Sequence, residues 1–260
     1  MFSYFLGVFL IVVLYFSVFF IIAQKHNNNS IVDIGWGLGF VVISLYSFIY
    51  VIFTSNLTLL QVVISLLITL WGLRLFLYIS IRNFKKPEDF RYVEMRKKWE
   101  DKSPRLQAFF KVFMSQAFFM MIIAFPIYAA YTSKTTVHLT WIIVGGVLFL
   151  IGLLFEGIGD YQLRHFLSKP ENKGHIMTSG LWKFTRHPNY FGETLIWWSL
   201  WVMVLSTTLG IIAIVSPLLI SYLLLFVSGI PLLEKKYQNN PEFQEYAKKT
   251  SPFFPIPPKK

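Results

Sequence analysis

Four acidic side chains lie within, or at the ends of, long apolar stretches of this sequence: Asp33, Glu156, Asp160 and Glu193. A charged group in an apolar environment is costly, and it usually faces a partner or a water-filled cavity. A carboxylate in such a cavity can accept hydrogen bonds from a polar ligand. These four positions are therefore the first candidates for functional chemistry.

The spacing of the acids indicates a shared cavity. Glu156 and Asp160 are four residues apart, which places both carboxylates on one face of a helix, and Arg164 continues that face by one turn. Asn189 and Glu193 have the same spacing on a second apolar segment. We interpret the two faces as walls of one polar cavity. Simple charge pairing near an aqueous boundary, for example between Arg164 and Asp160, explains the spacing equally well.

The residues before Glu193 predict an anion site. Pro188 fixes the backbone just before a helix, and Asn189 is a good N-cap residue there. Arg186 and His187 would then lie beside the positive end of that helix, where phosphate groups bind readily. Glu193, one turn further, could accept a hydrogen bond from an amide. The set predicts a phosphate-bearing cofactor whose carboxamide end reaches into the membrane.

The elements that must position these residues are long and apolar. The sequence is 55% hydrophobic and 14% charged, whereas soluble domains carry about 25% charged residues. A helix needs about 20 apolar residues to cross a bilayer, so the two longest uncharged stretches each hold two such helices. We predict an all-α, polytopic integral membrane protein with seven transmembrane helices, near residues 2–23, 33–53, 57–81, 108–131, 138–160, 190–206 and 211–231.

The basic residues predict the orientation of these helices. Of the 24 Lys and Arg residues, all but three fall in the segments 24–32, 82–107, 161–189 and 232–260, and only Lys134 falls in a segment on the other side. Loops rich in Lys and Arg face the cytoplasm, so we expect the N-terminus outside and the C-terminus in the cytoplasm. The formal net charge of +11 then reflects orientation, and we expect no nucleic-acid partner.

Several other classes of site receive no support. The chain has no cysteine, which excludes disulfides and thiolate chemistry. Its five histidines do not occur in a metal-ligand spacing, and we expect no metal site. The charged segment 82–107, with a helix start at Pro87, is interpreted as a solvated helix near the lipid headgroups. No internal repeat or linker is evident, so residues 1–260 are predicted to form a single membrane domain.

One stretch is specific enough to indicate a family. The signature shared by steroid 5-alpha-reductases, sterol C14-reductases and isoprenylcysteine carboxyl methyltransferases resembles residues 180–193, which read Gly-Leu-Trp-Lys-Phe-Thr-Arg-His-Pro-Asn-Tyr-Phe-Gly-Glu. The steroid reductases in particular resemble residues 156–170, and the tail common to the superfamily resembles residues 233–255. The likeness is greatest to bacterial membrane proteins that carry a steroid 5-alpha-reductase C-terminal domain.

This resemblance implies a membrane enzyme that uses NADP(H) and passes hydride from NADPH to an activated C=C of a lipophilic, steroid-, sterol- or isoprenoid-like substrate. It assigns the substrate side to residues 1–149 and the cofactor region to residues 150–260, at a site facing the cytoplasm from the inner membrane of a bacterium. By resemblance, the cofactor-binding residues are Glu156, Asp160, Tyr161, Arg164, Arg186, His187, Asn189, Tyr190, Glu193, Glu234 and Tyr246.

The N-terminal half departs from the steroid enzymes, which carry a Gln-Glu pair on the second span and a Tyr on the third. Here the second span offers Asp33 instead of that pair. On the third span, with Arg74 as the anchor, Trp71 lies at the expected place and Tyr78 lies one turn from Arg74 in the other direction. Asp33 and Tyr78 are therefore the candidate catalytic residues, and the departure argues against a 3-oxo-steroid substrate.

Two other functions remain open. Glu193 favours a reductase, because prenylcysteine methyltransferases typically lack that acid, but Glu234 is reminiscent of methyltransferases and sterol C14-reductases. An S-adenosylmethionine-dependent methyltransferase acting on a lipid or prenylated group is thus the second hypothesis. The third is a transporter or scaffold, which no repeat symmetry supports. The expected partners are membrane lipids and a lipophilic small molecule, and the oligomeric state is not predicted.

Overall fold

A computed structural model describes residues 1–83, 86–99, 103–133, 135 and 137–259 of the chain, and these residues contain helices and no strand. They form two compact units. The first comprises Met1–Thr136 with Thr207–Ile212, and the second comprises Val137–Ser206 with Ala213–Lys260. The predicted single domain, with 1–149 on the substrate side and 150–260 on the cofactor side, stays a prediction.

The first unit is built from long apolar helices and one short polar helix. In chain order they are α1 (Phe2–Lys25), α2 (Ile31–Thr54), α3 (Leu59–Asn83), the polar α4 (Phe90–Lys97), α5 (Pro104–Ile123) and α6 (Phe125–Thr132). Within α5, the stretch Phe109–Met114 is π-helical. Pro126 lies in the first turn of α6, where a proline is tolerated because its missing N–H would have no helical partner.

The second unit contains α7 (Leu139–Leu167), α8 (Pro188–Val204), α9 (Ile212–Tyr237, beginning one residue before the unit) and α10 (Pro241–Lys249). Short 3-10 turns at Pro170–Asn172 and Gly180–Lys183 connect α7 to α8. The π-helical stretch Leu223–Val227 lies within α9.

Six of these helices are long and apolar enough to cross a membrane: α1, α2, α3, α5, α7 and α9. They indicate an integral membrane protein, and many of their outward side chains are apolar, such as Leu14 and Ile21 on α1. The predicted sixth span, 190–206, corresponds to α8, whose 17 residues make a helix of about 25 Å. The count of seven spans and their orientation stay predictions. Lys134 and Lys260 lie outside the described residues.

Glycines set the closest helix contacts in the first unit. A Cβ added to Gly37 on α2 would lie 2.6 Å from the backbone oxygen of Gly72 on α3, so these two helices touch backbone to backbone. Gly35, two residues earlier, packs against the Phe19 ring, and its carbonyl accepts a hydrogen bond of 2.7 Å from the Tyr15 hydroxyl. Small residues allow such contacts between membrane helices, which gain little from hydrophobic burial against each other.

In the second unit, α7 and α8 pack antiparallel along a row of glycines spaced seven residues apart. Gly145 faces the Ser199–Met203 turn, Gly152 faces Gly192, and Gly159 faces Pro188. A Cβ on Gly152 would lie 2.8 Å from the Gly192 carbonyl oxygen. The pair is therefore held at backbone contact along its length.

We predict that adding one methyl group at this contact destabilises the protein. Gly152→Ala should lower the free energy of unfolding by about 1–3 kcal/mol, because its Cβ meets backbone and Ile196 atoms that cannot easily move. Gly157→Ala on the same helix is the matched control, since no atom lies within 4 Å of its added Cβ. It should be neutral or slightly stabilising. Unfolding in detergent would measure both, and equal losses would contradict the packing.

The predicted orientation can be tested by thiol labelling, because the chain has no native cysteine. Thr135 and Lys259 are exposed, and each can be replaced by Cys in the otherwise cysteine-free chain. We expect Thr135→Cys to react with a membrane-impermeant maleimide in intact cells, and Lys259→Cys to react only after permeabilisation. Labelling of Lys259→Cys in intact cells would overturn the orientation.

Candidate functional site

The close packing of α7 and α8 buries two carboxylates in the second unit. Glu156 is 2% exposed and Asp160 is 3% exposed, one turn apart on α7. A Cβ added to Gly192 on α8 would lie 2.5 Å from the Glu156 backbone nitrogen, so α8 runs directly over this turn. The structure thus places both acids on the face of α7 that contacts α8, as their spacing predicted.

Asn189 joins this pair from the opposite helix. Its side-chain nitrogen donates a hydrogen bond of 3.2 Å to Oδ1 of Asp160. The prediction that Asn189 caps α8 is wrong, because the helix begins one residue earlier, at Pro188, with His187 at the N-cap position. The Asn189 side chain is therefore free to cross to α7, and its Oδ1 accepts from the Tyr190 N–H at 3.1 Å.

Arg186, His187 and Glu234 form an ion cluster beside the start of α8. The guanidinium of Arg186 donates two parallel hydrogen bonds to Glu234, Nε to Oε1 at 2.8 Å and Nη2 to Oε2 at 3.0 Å. Nε2 of His187 lies 3.0 Å from the same Oε1. Bidentate pairing of this kind is strong and directional. The Arg186 charge, which the sequence assigned to a cofactor anion, is thus balanced by Glu234 in this structure.

The C-terminal segment completes the surroundings of Arg186. Nη1 of Arg186 donates to the backbone oxygens of Ala247 at 2.9 Å and Thr250 at 2.8 Å. The Tyr246 hydroxyl donates to the backbone oxygen of Trp182, in the turn before α8. Burial raises the pKa of Tyr246, which keeps this hydroxyl protonated as a donor. Tyr246 therefore acts here as a structural tie between α10 and the signature segment.

A ring contact links the ion cluster to the buried acids. The His187 and Tyr190 rings stack with centroids 5.4 Å apart and planes at 11°. The backbone N–H of Tyr190 donates to the side-chain oxygen of Asn189, and the side-chain nitrogen of Asn189 donates to Asp160. Six of the predicted cofactor residues are therefore connected in one series: Glu234, Arg186, His187, Tyr190, Asn189 and Asp160.

The other predicted cofactor residues are more accessible. Glu193, one turn beyond Asn189 on α8, is half-buried. Arg164 is exposed, and Tyr161 is 68% exposed with its ring stacked on His165. Arg164 has no hydrogen-bond or ion-pair partner among the residues that the structure describes, so its charge is available to a ligand. Its predicted pairing with Asp160 is not present.

Asp33, on α2 in the first unit, is bound by two residues that the sequence analysis did not single out as its partners. Its carboxylate accepts from Nη2 of Arg91 at 2.9 Å and from the Tyr92 hydroxyl at 2.6 Å. Nε2 of Gln116 approaches that hydroxyl at 3.4 Å. Both partners lie on α4, in the segment interpreted as a solvated helix. The only sequence signal for this contact was the mixture of acids and bases in residues 82–107.

The residue before α4 fixes where that helix begins. Asp89 caps α4 by accepting from the Arg91 N–H at 3.0 Å, so the predicted helix start is confirmed to within three residues of Pro87. Burial alone would raise the pKa of Asp89, but hydrogen bonds from Arg91 hold it below its ordinary value. This pair stabilises the fold at neutral pH and loses that contribution as pH falls through the lowered pKa. Burial and the neighbouring Asp33 carboxylate raise the pKa of Tyr92.

The two α3 residues that the sequence analysis named, Trp71 and Tyr78, differ in their surroundings. Trp71 is fully buried, with its ring centroid 5.7 Å from that of Phe40. Tyr78 is half-buried, and the Arg82 guanidinium lies 5.6 Å from its ring centroid. Tyr78 is thus the more accessible of the two, and its catalytic role stays a prediction. In the described ranges no group of three or more His, Asp or Glu side chains is placed to hold a metal ion.

The sequence of the chain matches one known protein family over most of its length. A model of the family described as "Protein of unknown function (DUF1295)" matches residues 19–250, which is most of the chain. The chain belongs to the DUF1295 family. This family is related to steroid 5-alpha-reductase-like membrane proteins, which agrees with the signature at residues 180–193.

One curated relative gives a second, shorter match to this DUF1295 chain. The probable O-methyltransferase ustE of Ustilaginoidea virens is 37% identical over 55 residues, which is 21% of this chain and 19% of that protein. The match spans about a fifth of either chain, so it shows a local similarity only. No solved structure matches.

We predict that Glu234 stabilises the DUF1295 chain by balancing Arg186. Glu234→Gln should lower the free energy of unfolding by about 2 kcal/mol, because the side chain of Arg186 is only 11% exposed and would keep its charge without a counterion. Glu245→Gln is the matched control, since Glu245 pairs with Lys248 where both are well exposed. It should leave the free energy of unfolding nearly unchanged, because exposed ion pairs contribute little. A similar loss in both variants, measured by unfolding in detergent, would contradict this role.

Proposed function

We propose that this protein is a membrane-embedded NADPH-dependent reductase that transfers hydride to an activated C=C of a lipophilic, steroid-, sterol- or isoprenoid-like substrate. The observation that carries the proposal is the set of buried acceptors between α7 and α8. Two carboxylates, Glu156 and Asp160, are kept in a largely apolar setting and face α8. Groups so expensive to bury usually serve a ligand or a reaction.

The acceptors suit the polar parts of a nicotinamide cofactor. Asp160, with Asn189, can take hydroxyl groups of a ribose, and half-buried Glu193 can accept from a carboxamide N–H. The cofactor phosphates need cations. Arg164, one turn from Asp160, supplies a guanidinium without a partner among the described residues, whereas Arg186 would have to exchange part of its bonding to Glu234. NADPH supplies the hydride, and the chain supplies position and charge.

The substrate side of the proposal rests on Asp33 and Tyr78. Reduction of a C=C needs a proton as well as a hydride, so an O–H donor must reach the substrate. The carboxylate of Asp33 accepts hydrogen bonds from Arg91 and from the Tyr92 hydroxyl. Tyr92 therefore holds one O–H group at this position. Tyr78 offers a second hydroxyl. In the proposed orientation the cofactor side faces the cytoplasm, where NADPH is found.

A methyltransferase that uses S-adenosylmethionine is the second candidate. One observation favours it: the similarity to a protein named as a probable O-methyltransferase. A site lined by the carboxylates of Glu156, Asp160 and Glu193 is also compatible with the positive sulfonium group of S-adenosylmethionine. The transferred methyl group would go to a lipid or prenylated acceptor. The two candidates therefore differ in the charge of the cofactor.

We expect ligand-dependent stability to separate the two candidates. NADPH at 100 times its Kd should stabilise the wild-type protein by about 2.7 kcal/mol, and S-adenosylmethionine should have little effect. Arg164→Ala should reduce the NADPH effect, because a strongly anionic cofactor loses a charge-assisted contact worth about 1.5–3 kcal/mol. Glu193→Gln should also reduce it, because an amide is a weaker acceptor for the carboxamide. Thermal unfolding in detergent would measure these shifts.

One control variant and two opposing outcomes complete this test. Asp33→Asn should keep the NADPH shift, because Asp33 is assigned to the substrate side. Stabilisation by S-adenosylmethionine alone, insensitive to Arg164→Ala, would reject the reductase and support the methyltransferase. A shift with neither cofactor would reject both enzymes and leave the transporter or scaffold hypothesis.

A further inference from the structure

A cavity of about 460 Å³, bordered mainly by residues with polar side chains, opens in the first unit, and none of the residues that border it is assigned to the proposed reaction. It lies where α1 ends, where α4 ends and where α5 begins. Its polar lining consists of Gln24, Asn27, Asn29, Arg96, Ser103 and Arg105. Two guanidinium groups and three side-chain amides thus border one opening, whereas no acidic residue borders it among the described residues.

The two cations of this cavity do not bond all of their N–H groups to residues that the structure describes. Arg96 donates through Nη2 to Glu88 at 2.8 Å and to the Asn27 backbone oxygen at 3.2 Å, but its buried Nε–H has no partner in the described part of the chain. Arg105 has neither a hydrogen-bond partner nor an ion-pair partner among the same residues. An unused N–H and a whole unpaired guanidinium are the donors that an anion would require.

The amides are already positioned around these cations. Asn29 is 2% exposed, and its Oδ1 accepts from the Gln24 amide at 3.0 Å. Its backbone N–H donates to Glu88 at 2.7 Å, which ties the loop to the base of α4. The side-chain nitrogen of Asn29 is therefore the part of this group that remains for a ligand.

The backbone around the cavity is unusual as well. Among the described residues, Asn27 and Ser103 are the two non-glycine residues with positive φ, at 48° and 49°, and both line this cavity. Asparagine adopts the left-handed region more readily than most residues, but serine rarely does. Strained conformations of this kind persist where the surroundings hold them, and they cluster at binding sites.

We infer that this cavity binds a phosphate group, with Arg105 and Arg96 as its cationic ligands and Asn29 as an additional donor. Guanidinium groups match phosphate oxygens in geometry and charge. Two sources can supply this chemistry: the headgroup of an anionic lipid or a soluble phosphate. The lipid source has support from position, because the cavity lies at the ends of two candidate membrane helices whose outward residues, such as Leu106 and Phe110, are apolar and exposed.

Binding of defined probes to the full chain in detergent tests this inference. The probes are dioleoyl phosphatidylglycerol, dioleoylglycerol (the same chains without phosphate) and inorganic phosphate, each followed by thermal unfolding. We expect phosphatidylglycerol to stabilise the wild-type protein and dioleoylglycerol to have no effect. Arg105→Ala should weaken the phosphatidylglycerol effect roughly tenfold or more in apparent affinity, as expected for one lost charge-assisted contact.

Matched variants keep the test specific. Lys97→Ala removes one exposed positive charge from the neighbouring helix without touching the cavity, and it should bind like the wild type. Arg105→Ala should fold normally, because Arg105 makes no internal polar contact in the described chain. Arg105→Glu, which reverses the charge, should abolish the effect.

The outcomes distinguish a soluble phosphate from a lipid headgroup, and they show when the inference fails. If inorganic phosphate gives the same Arg105-dependent shift, the phosphate site stands and its source is soluble. If only phosphatidylglycerol does, the site holds a lipid headgroup. The inference is overturned if neither probe shifts the unfolding temperature, if dioleoylglycerol acts like phosphatidylglycerol, or if Lys97→Ala loses as much affinity as Arg105→Ala.

Discussion

Backbone contact between α7 and α8 is the constraint on which the second unit depends. Gly152 and Gly192 approach so closely that a single added carbon would meet main-chain atoms. Dispersion contacts of this kind act only at short range, and between membrane helices they replace the hydrophobic effect as the source of association. The same approach determines which residues face each other. It buries Glu156 under α8 and brings Asn189 within hydrogen-bond distance of Asp160.

Charge neutralisation is the second constraint on this unit. Arg186 is satisfied by Glu234, 48 residues later, and by two backbone oxygens of the C-terminal segment, 61 and 64 residues later. A buried guanidinium without these partners would be costly, so the signature segment and the C-terminal segment must fold together. The residues that the superfamily resemblance associates with a cofactor therefore also hold the fold.

The first unit uses the same principle at the end of its membrane helices. Asp33 is matched by Arg91, and Glu88 is matched by Arg96, which docks the polar helix α4 against the loop between α1 and α2. Arg105, which borders the cavity, has no polar partner among the described residues, and the inference of an anion site depends on that charge.

The sequence by itself determined the features that depend on local chain properties. The long apolar runs predicted the membrane helices to within a few residues at most ends, and the four-residue spacing of Glu156 and Asp160 placed both acids on one buried face. Only the tertiary structure decided which partners these side chains have. It moved Asn189 from a capping role to a bond with Asp160, and it paired Arg186 with Glu234. These choices depend on contacts between residues far apart in the chain, whose distances no local pattern of hydrophobicity or charge can specify.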